Sequence, residues 1–270
     1  MQTENTQTIE RLTKDLKESA GLMSQQQARF LVYSYYEMQE NRKRAANQVK
    51  SLEGSGEPGN VLDWLFTNAY MLEKQVARAL DAYSAGQPAG AWARSVIGIG
   101  PVIAAGLLAH IDIKQAPTAG HVWRFAGLDP TQEWGKGQKR PWNASLKTLC
   151  WKIGEAFVKV SGNPDAFYGQ IYTQRKEQEI RRNEAGQFKE QADVKLARFK
   201  IGKATEAYKH YSAGRLPPAH IHARAKRYAV KLFLAHYQHQ AYLYEYGEEP
   251  PLPYAIAQMG HAHHIKPPVS

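Results

Sequence analysis

Apolar residues recur at intervals of three and four along most of this chain, and no stretch of residues 1–97 alternates as a half-buried strand would. The pattern predicts an all-α protein. Ser24 followed three residues later by Gln27 is a capping-box signature. Behind it Ala28, Leu31, Tyr35 and Met38 mark one face of a long helix. The turn "EPGN" follows, and Asn60 is the expected cap of a second helix with Val61, Leu65, Leu72, Val76 and Tyr83 on its inward face. The two read as an antiparallel hairpin ending at "SAGQPAG", with a short amphipathic helix or arm ahead of it, to about Gly21.

From Ala91 a helix leads into "SVIGIGPVIAAGLLAHI", where Gly98, Gly100 and Pro101 interrupt an apolar run. A short segment "HVWRFAGL" and the polar loop "DPTQEWGKGQKRPW" come next. Asn143 should cap a helix with Leu146, Leu149, Cys150, Ile153, Phe157 and Val160 inward, leaving Lys147, Lys152 and Lys159 outward. The stretch from 165 to 212 is charged and poor in aliphatics, as a projecting helical hairpin would be. A last long helix starts at the prolines before Ala219, and the tail is rich in proline and histidine. The expected domains are therefore 1–90, a helical hairpin suited to dimerisation, 91–246, a helix-hairpin-helix domain, and 247–270, a tail.

Charge sharpens this picture. Residues 1–97 hold 11 Lys and Arg against 11 Asp and Glu, whereas residues 136–240 hold 21 against 8. All of the net charge of +10 thus comes from one block, and the expected partner is a polyanion: DNA, or a structured RNA as the alternative. The single cysteine, Cys150, rules out an internal disulfide and fits a reducing cytoplasm. The polar opening "MQTENTQTIERLTKDLK" lacks the apolar run of a secretory signal, and no apolar run is long enough for a membrane span.

Three features carry candidate chemistry. In "IGIGPVIAAGLL" the form is that of a helix-hairpin-helix: Gly98 and Gly100 taking positive φ in the turn, Ile99 and Val102 beside them, and Pro101 opening a helix whose free amides suit a phosphate. On the last helix His220, Arg224, Arg227 and Lys231 form one stripe, opposite Ile221, Ala225, Tyr228, Leu232 and Leu243. Trp123, Trp134, Trp142 and Trp151 bracket a loop that also holds Lys136, Lys139 and Arg140, and among the four Trp134 is expected to be the exposed one. Aromatics among cations suit stacking beside phosphate contacts. No metal or cofactor is expected: His220 and His222 are two apart and cannot share a helix face, and "GHAHHI" lies in the tail. Asp112, Asp129 and Glu133 could hold Mg²⁺ only if the protein were a nuclease.

The segment from about Leu72 to Tyr254 resembles the C-terminal domain of the bridge-RNA-guided insertion-sequence transposases. The pieces that carry the resemblance are "GIGPVIAAGLLAHI", "HVWRFAGLDP", "NASLKTLCWKIGEAF", "GNPDAFYGQI", "HARAKRYAVKLFLAH" and "PPLPYA", in that order. In that family an N-terminal RNase H-like domain supplies four acidic residues, and this domain supplies a serine after the "GLDP"-like turn. Here residues 1–97 are helical in pattern, Trp134 stands where the serine is expected, and no serine occurs between Ser95 and Ser145. The resemblance implies a mobile-element or phage-like source and the family's grip on nucleic acid without its chemistry. Two other readings stay open. One is a minimal recombinase or nuclease using Thr131 or Ser145 with Asp129 and Glu133; the other is a protein-interaction scaffold that leaves the basic block without a use.

Overall fold

The computed structural model describes residues 11–55, 59–251 and 265–268, with the side chains of 53–55 omitted. Among the described residues there are eleven α-helices and no strand. They are α1 (Lys14–Gly21), α2 (Gln25–Ser55), α3 (Asn60–Ala85), α4 (Pro88–Ser95), α5 (Pro101–His110), α6 (Ala119–Phe125), α7 (Ala144–Lys159), α8 (Phe167–Glu184), α9 (Lys189–Arg198), α10 (Glu206–Ser212) and α11 (Pro218–Tyr246). A 3₁₀ turn spans Ile113–Gln115. The described residues divide into two compact units, one falling within 1–94 and 100–112, the other within 95–99 and 113–270. "GHAHHI" and most of "PPLPYA" lie outside the described residues.

In the first unit α2 and α3 pair along their length, and α5 packs against both. The expected capping box forms: the Ser24 amide donates to Gln27 Oε1 (2.9 Å) and the Gln27 amide to Ser24 Oγ (3.2 Å). Asn60 does not cap. It is the first residue of α3, Gly59 precedes it, and no side chain bonds to the first turn. The inward face also differs from expectation, because Val61 (76% exposed), Leu65 and Leu72 face outward. The buried positions include Glu73, Gln75, Ala79, Leu80 and Tyr83, and Glu73 is held by the Arg42 guanidinium at 2.5 Å. A buried carboxylate with a charged partner can occupy a position that apolar spacing alone would not select.

Helix α5 is apolar all round, and every residue from Val102 to His110 except Ile103 is buried. Small side chains let the neighbouring backbones approach. Gly90 on α4 shows how closely: a Cβ there would lie 2.2 Å from the Ser84 carbonyl oxygen. The C-terminal carbonyls of α5 are covered from α2, where Arg29 Nε donates to the Ala109 oxygen (2.6 Å) and Gln25 Nε2 to that of Leu108 (3.1 Å).

In the second unit α11 is the axis, contacted by α6, α7, α8 and the 3₁₀ turn. Asn143 caps α7 as expected, its Oδ1 accepting from the Leu146 amide at 2.9 Å. The six residues expected inward on α7 are buried except for half-buried Val160, and Phe157 meets Tyr168 and Phe233 in an aromatic cluster. The charged stretch from 165 to 212 forms α8, α9 and α10; α8 is docked along α11, and Phe188, Ala192, Tyr211, Leu216 and Ile221 make a second small core. His236 ties down the C-terminal residues, its ring nitrogens bonding the Tyr168 hydroxyl and the Ile265 carbonyl oxygen, each at 2.7 Å.

Candidate nucleic-acid interface

The loop between α6 and α7 is closed at its base. The Asn143 amide donates to the Phe125 carbonyl (2.9 Å), and the Trp142 indole lies against the α-carbon of Gly127, whose φ is +64°. A Cβ at Gly127 would come within 2.7 Å of that ring, so only glycine lets Trp142 seat there. Farther out, Trp134 donates its indole N–H to the Gln138 carbonyl (2.8 Å) and meets Trp142 edge-on, with centroids 6.2 Å apart. The sequence alternates aromatic and cationic residues here because the two are paired in space. Arg140 lies 5.1 Å over Trp134, Lys147 4.1 Å over Trp142, and Lys231 4.2 Å over Trp123. Each such contact is worth on the order of 0.5–2 kcal/mol and holds a long cationic side chain in place.

These cations act on one another. Burial lowers the Lys147 ammonium pKa, and repulsion from Arg227 and Arg140 lowers it further. Burial likewise lowers Lys231, with Arg227 adding to the shift and Asp129 opposing it. Arg140, Lys147, Arg227 and Lys231 therefore share one electrostatic neighbourhood, with Asp129 as the carboxylate in it. A cluster of like charges that depress one another's affinity for protons is a site where an anion would be stabilised. Lys136 and Lys139 stand exposed on the same loop.

Several expectations are corrected by the structure. Of the basic stripe on α11, only Arg227 is exposed. Arg224 is drawn to Glu179 (2.6 Å), Lys231 is half-buried on Trp123, and His220 sits against Tyr211, with burial, then Lys195, Arg224 and Arg227, lowering its pKa. The reason is that α11 is packed on several sides and offers no single solvent face. Tyr228, expected inward, is exposed beneath Arg175. Trp151 is more exposed than Trp134, 58% against 44%, because it projects from the face of α7 opposite the core beside Lys226.

The glycine turn also differs. Gly98 has φ +101°, but Gly100 lies at φ −88°, ψ 173°, an extended conformation open to any residue, with nothing within 4 Å of a Cβ built there. Ile99 and Val102 are buried. Gly98 packs on Ala156, Phe157 and Val160 at the C-terminal end of α7. Lys147 is in the first turn of that helix, about 15 Å away along the axis at 1.5 Å per residue. Arg140 and Lys147 are thus seated on Trp134 and Trp142, with Arg227 acting on Lys147 and Lys231, and Gly98 is not among them.

Of the candidate catalytic residues, Asp129 and Thr131 are brought together. Asp129 Oδ1 accepts from the Thr131 amide (2.9 Å) and hydroxyl (2.7 Å), and these bonds hold its carboxyl below the usual range, with Arg124 and Lys231 adding to the effect. Glu133 and Ser145 are exposed. No group of three or more His, Cys, Asp or Glu able to hold a metal is found among the described residues. Sequence reasoning passed over Arg175, Glu179 and Arg182 on α8, although their spacing of four and three on one helix was a readable signal.

Fold and site together define an all-α protein with a tryptophan-braced cationic loop. Residues 91–148, from α4 through the first turn of α7, match the family model of the Transposase IS116/IS110/IS902 family. The resemblance read from the sequence motifs holds over this stretch, which includes the glycine turn and the whole loop with Trp134. No curated protein and no solved structure matches the chain. No helix among the described residues is long and apolar enough to cross a membrane.

Proposed function

We propose that this protein is a cytoplasmic, transposase-derived binder of the DNA backbone, with structured RNA as the alternative ligand, and that it grips without cutting or joining. The observation that carries the reading is the seating of Arg140 on Trp134, Lys147 on Trp142 and Lys231 on Trp123, with Arg227 acting on both lysines, inside or beside the span that matches a transposase family. Cations fixed on aromatic rings can meet successive phosphates while an exposed indole stacks on a base. Lys136 and Lys139 extend that surface. Exposed Gly100 and the first-turn amides of α5, Val102's among them, offer a separate backbone contact. Exposed Phe30, Tyr33, Trp64 and Leu65 on α2 and α3 support self-association as a dimer or higher oligomer.

A second reading, a minimal recombinase or Mg²⁺-dependent nuclease, draws on the Thr131 hydroxyl donating to Asp129 close to Lys231. Labelled duplex, single-stranded and branched DNA, with and without Mg²⁺, separates the two. Five or more neutralised phosphates would make affinity fall roughly a hundredfold or more between 50 and 200 mM salt, with no strand cut. An affinity flat over that range refutes backbone binding. Nicking that disappears in Thr131→Ala and survives in Trp134→Ala establishes the enzyme.

A further inference from the structure

Helix α8 presents Arg175, Glu179 and Arg182 on one face. Glu179 has no exposed surface. Its Oε1 accepts from Arg175 Nη2 (2.6 Å) and Arg182 Nη1 (3.3 Å), and its Oε2 accepts from Arg224 Nε (2.6 Å) on α11. The other partners of these arginines are neutral amides: Gln178 for Arg175, Gln187 for Arg182 and Gln191 for Arg224. Arg182 and Arg224 lie 4.9 and 4.6 Å from the centre of the Phe188 ring, and Arg175 lies 4.6 Å from that of Tyr228. Among the described residues no second carboxylate pairs with any of the three. The buried Arg175 Nε has no acceptor.

One carboxylate among three guanidinium groups leaves two positive charges uncompensated. A structural ion pair needs one arginine, and each further uncompensated charge near the others raises the energy of the unliganded protein. The side chains are 24 to 36% exposed, and Glu179, the glutamine amides and the aromatic rings hold their planes. Fixed planar forks match phosphate oxygens better than mobile ammonium groups do. We propose that Arg175, Arg182 and Arg224 form a second phosphodiester-binding site, with Glu179 as the positioning residue that holds them in register. The proposal rests on the nucleic-acid reading above and adds to it a contact on α8, outside the tryptophan loop.

Binding of a labelled 30-base-pair duplex to the full chain, measured from 50 to 200 mM salt, tests it. Arg182→Gln, at the most exposed of the three arginines, is expected to keep the native melting curve and helical content. It should lower the slope of log affinity against log salt by about 0.9, the contribution of one phosphate. Glu179→Gln has a similar shape and makes the protein more positive, so simple charge counting predicts tighter binding; loss of register predicts binding several-fold weaker. Should Glu179→Gln fail to fold, Arg182→Gln alone decides. A native slope in Arg182→Gln, or tighter binding by folded Glu179→Gln, overturns the site. If Arg227→Ala still loses about 0.9 in slope in the same series, the tryptophan-loop reading stands alone. Wild-type protein with no salt-dependent binding takes both down together.

Discussion

Two glycines two residues apart in one turn should respond unequally to the same added methyl group. Gly98 has φ +101°, where an L-residue is strained, and its Cβ would lie 3.3 Å from Val160 Cγ2 and 3.6 Å from the Ala156 carbonyl oxygen. A residue forced into that region costs about 1–3 kcal/mol, and the tight contact with Val160 adds to it. Gly100 is extended, at φ −88°, with open space around its Cβ position. There the loss of a favourable N-cap, up to about 1 kcal/mol, is offset by about 0.4–1 kcal/mol from the reduced entropy of the unfolded chain. Gly98→Ala should therefore be less stable than Gly100→Ala by roughly 1–3 kcal/mol. Thermal melting followed by circular dichroism would read this as about 2–4 °C for each kcal/mol. Gly100→Ala should melt within a degree or two of the parent. Equal melting of Gly98→Ala and the parent would show that the turn is not held by left-handed geometry. A large loss in Gly100→Ala would show that the extended conformation of Gly100 is wrong.

Gly127→Ala should unseat Trp142, since its Cβ would overlap the indole at 2.7 Å; red-shifted tryptophan emission and weaker DNA binding in a folded protein are the expected result, and unchanged emission refutes it. His110 is buried with Nδ1 unpartnered, and burial, with the Arg29 charge, pushes its pKa down to about 4. The unfolded chain then takes up a proton near pH 6.5 that the folded chain refuses. The stability tied to a neutral His110 is complete above about pH 6.5 and is lost as pH falls toward 4, by up to about 3 kcal/mol. In urea titrations His110→Leu should flatten that part of the pH profile, and an unchanged profile removes His110 as its source.

Periodicity alone determined that the chain is helical, because a 3.6-residue repeat is a local property that tertiary contacts reinforce. The capping box at Ser24 and Gln27 and the cap at Asn143 were equally legible, being bonds between residues three apart. So was the location of the excess charge, and with it the class of partner proposed. What spacing could not assign was which face each helix turns inward. Val61 and Leu65 face out and Glu73 faces in, because Arg42 on another helix decides the matter. The same holds at the site. The cations were visible as residues, but Arg224 belongs to Glu179, Lys231 to Trp123, and only Arg227 to solvent, according to what α6, α7 and α8 bring against α11. Two neighbouring glycines look alike in sequence, yet only the packing of Gly98 on α7 requires a positive φ. Local bonds can be read along the chain, whereas burial, charge pairing and backbone strain depend on residues far away in sequence, and only the folded structure brings those together.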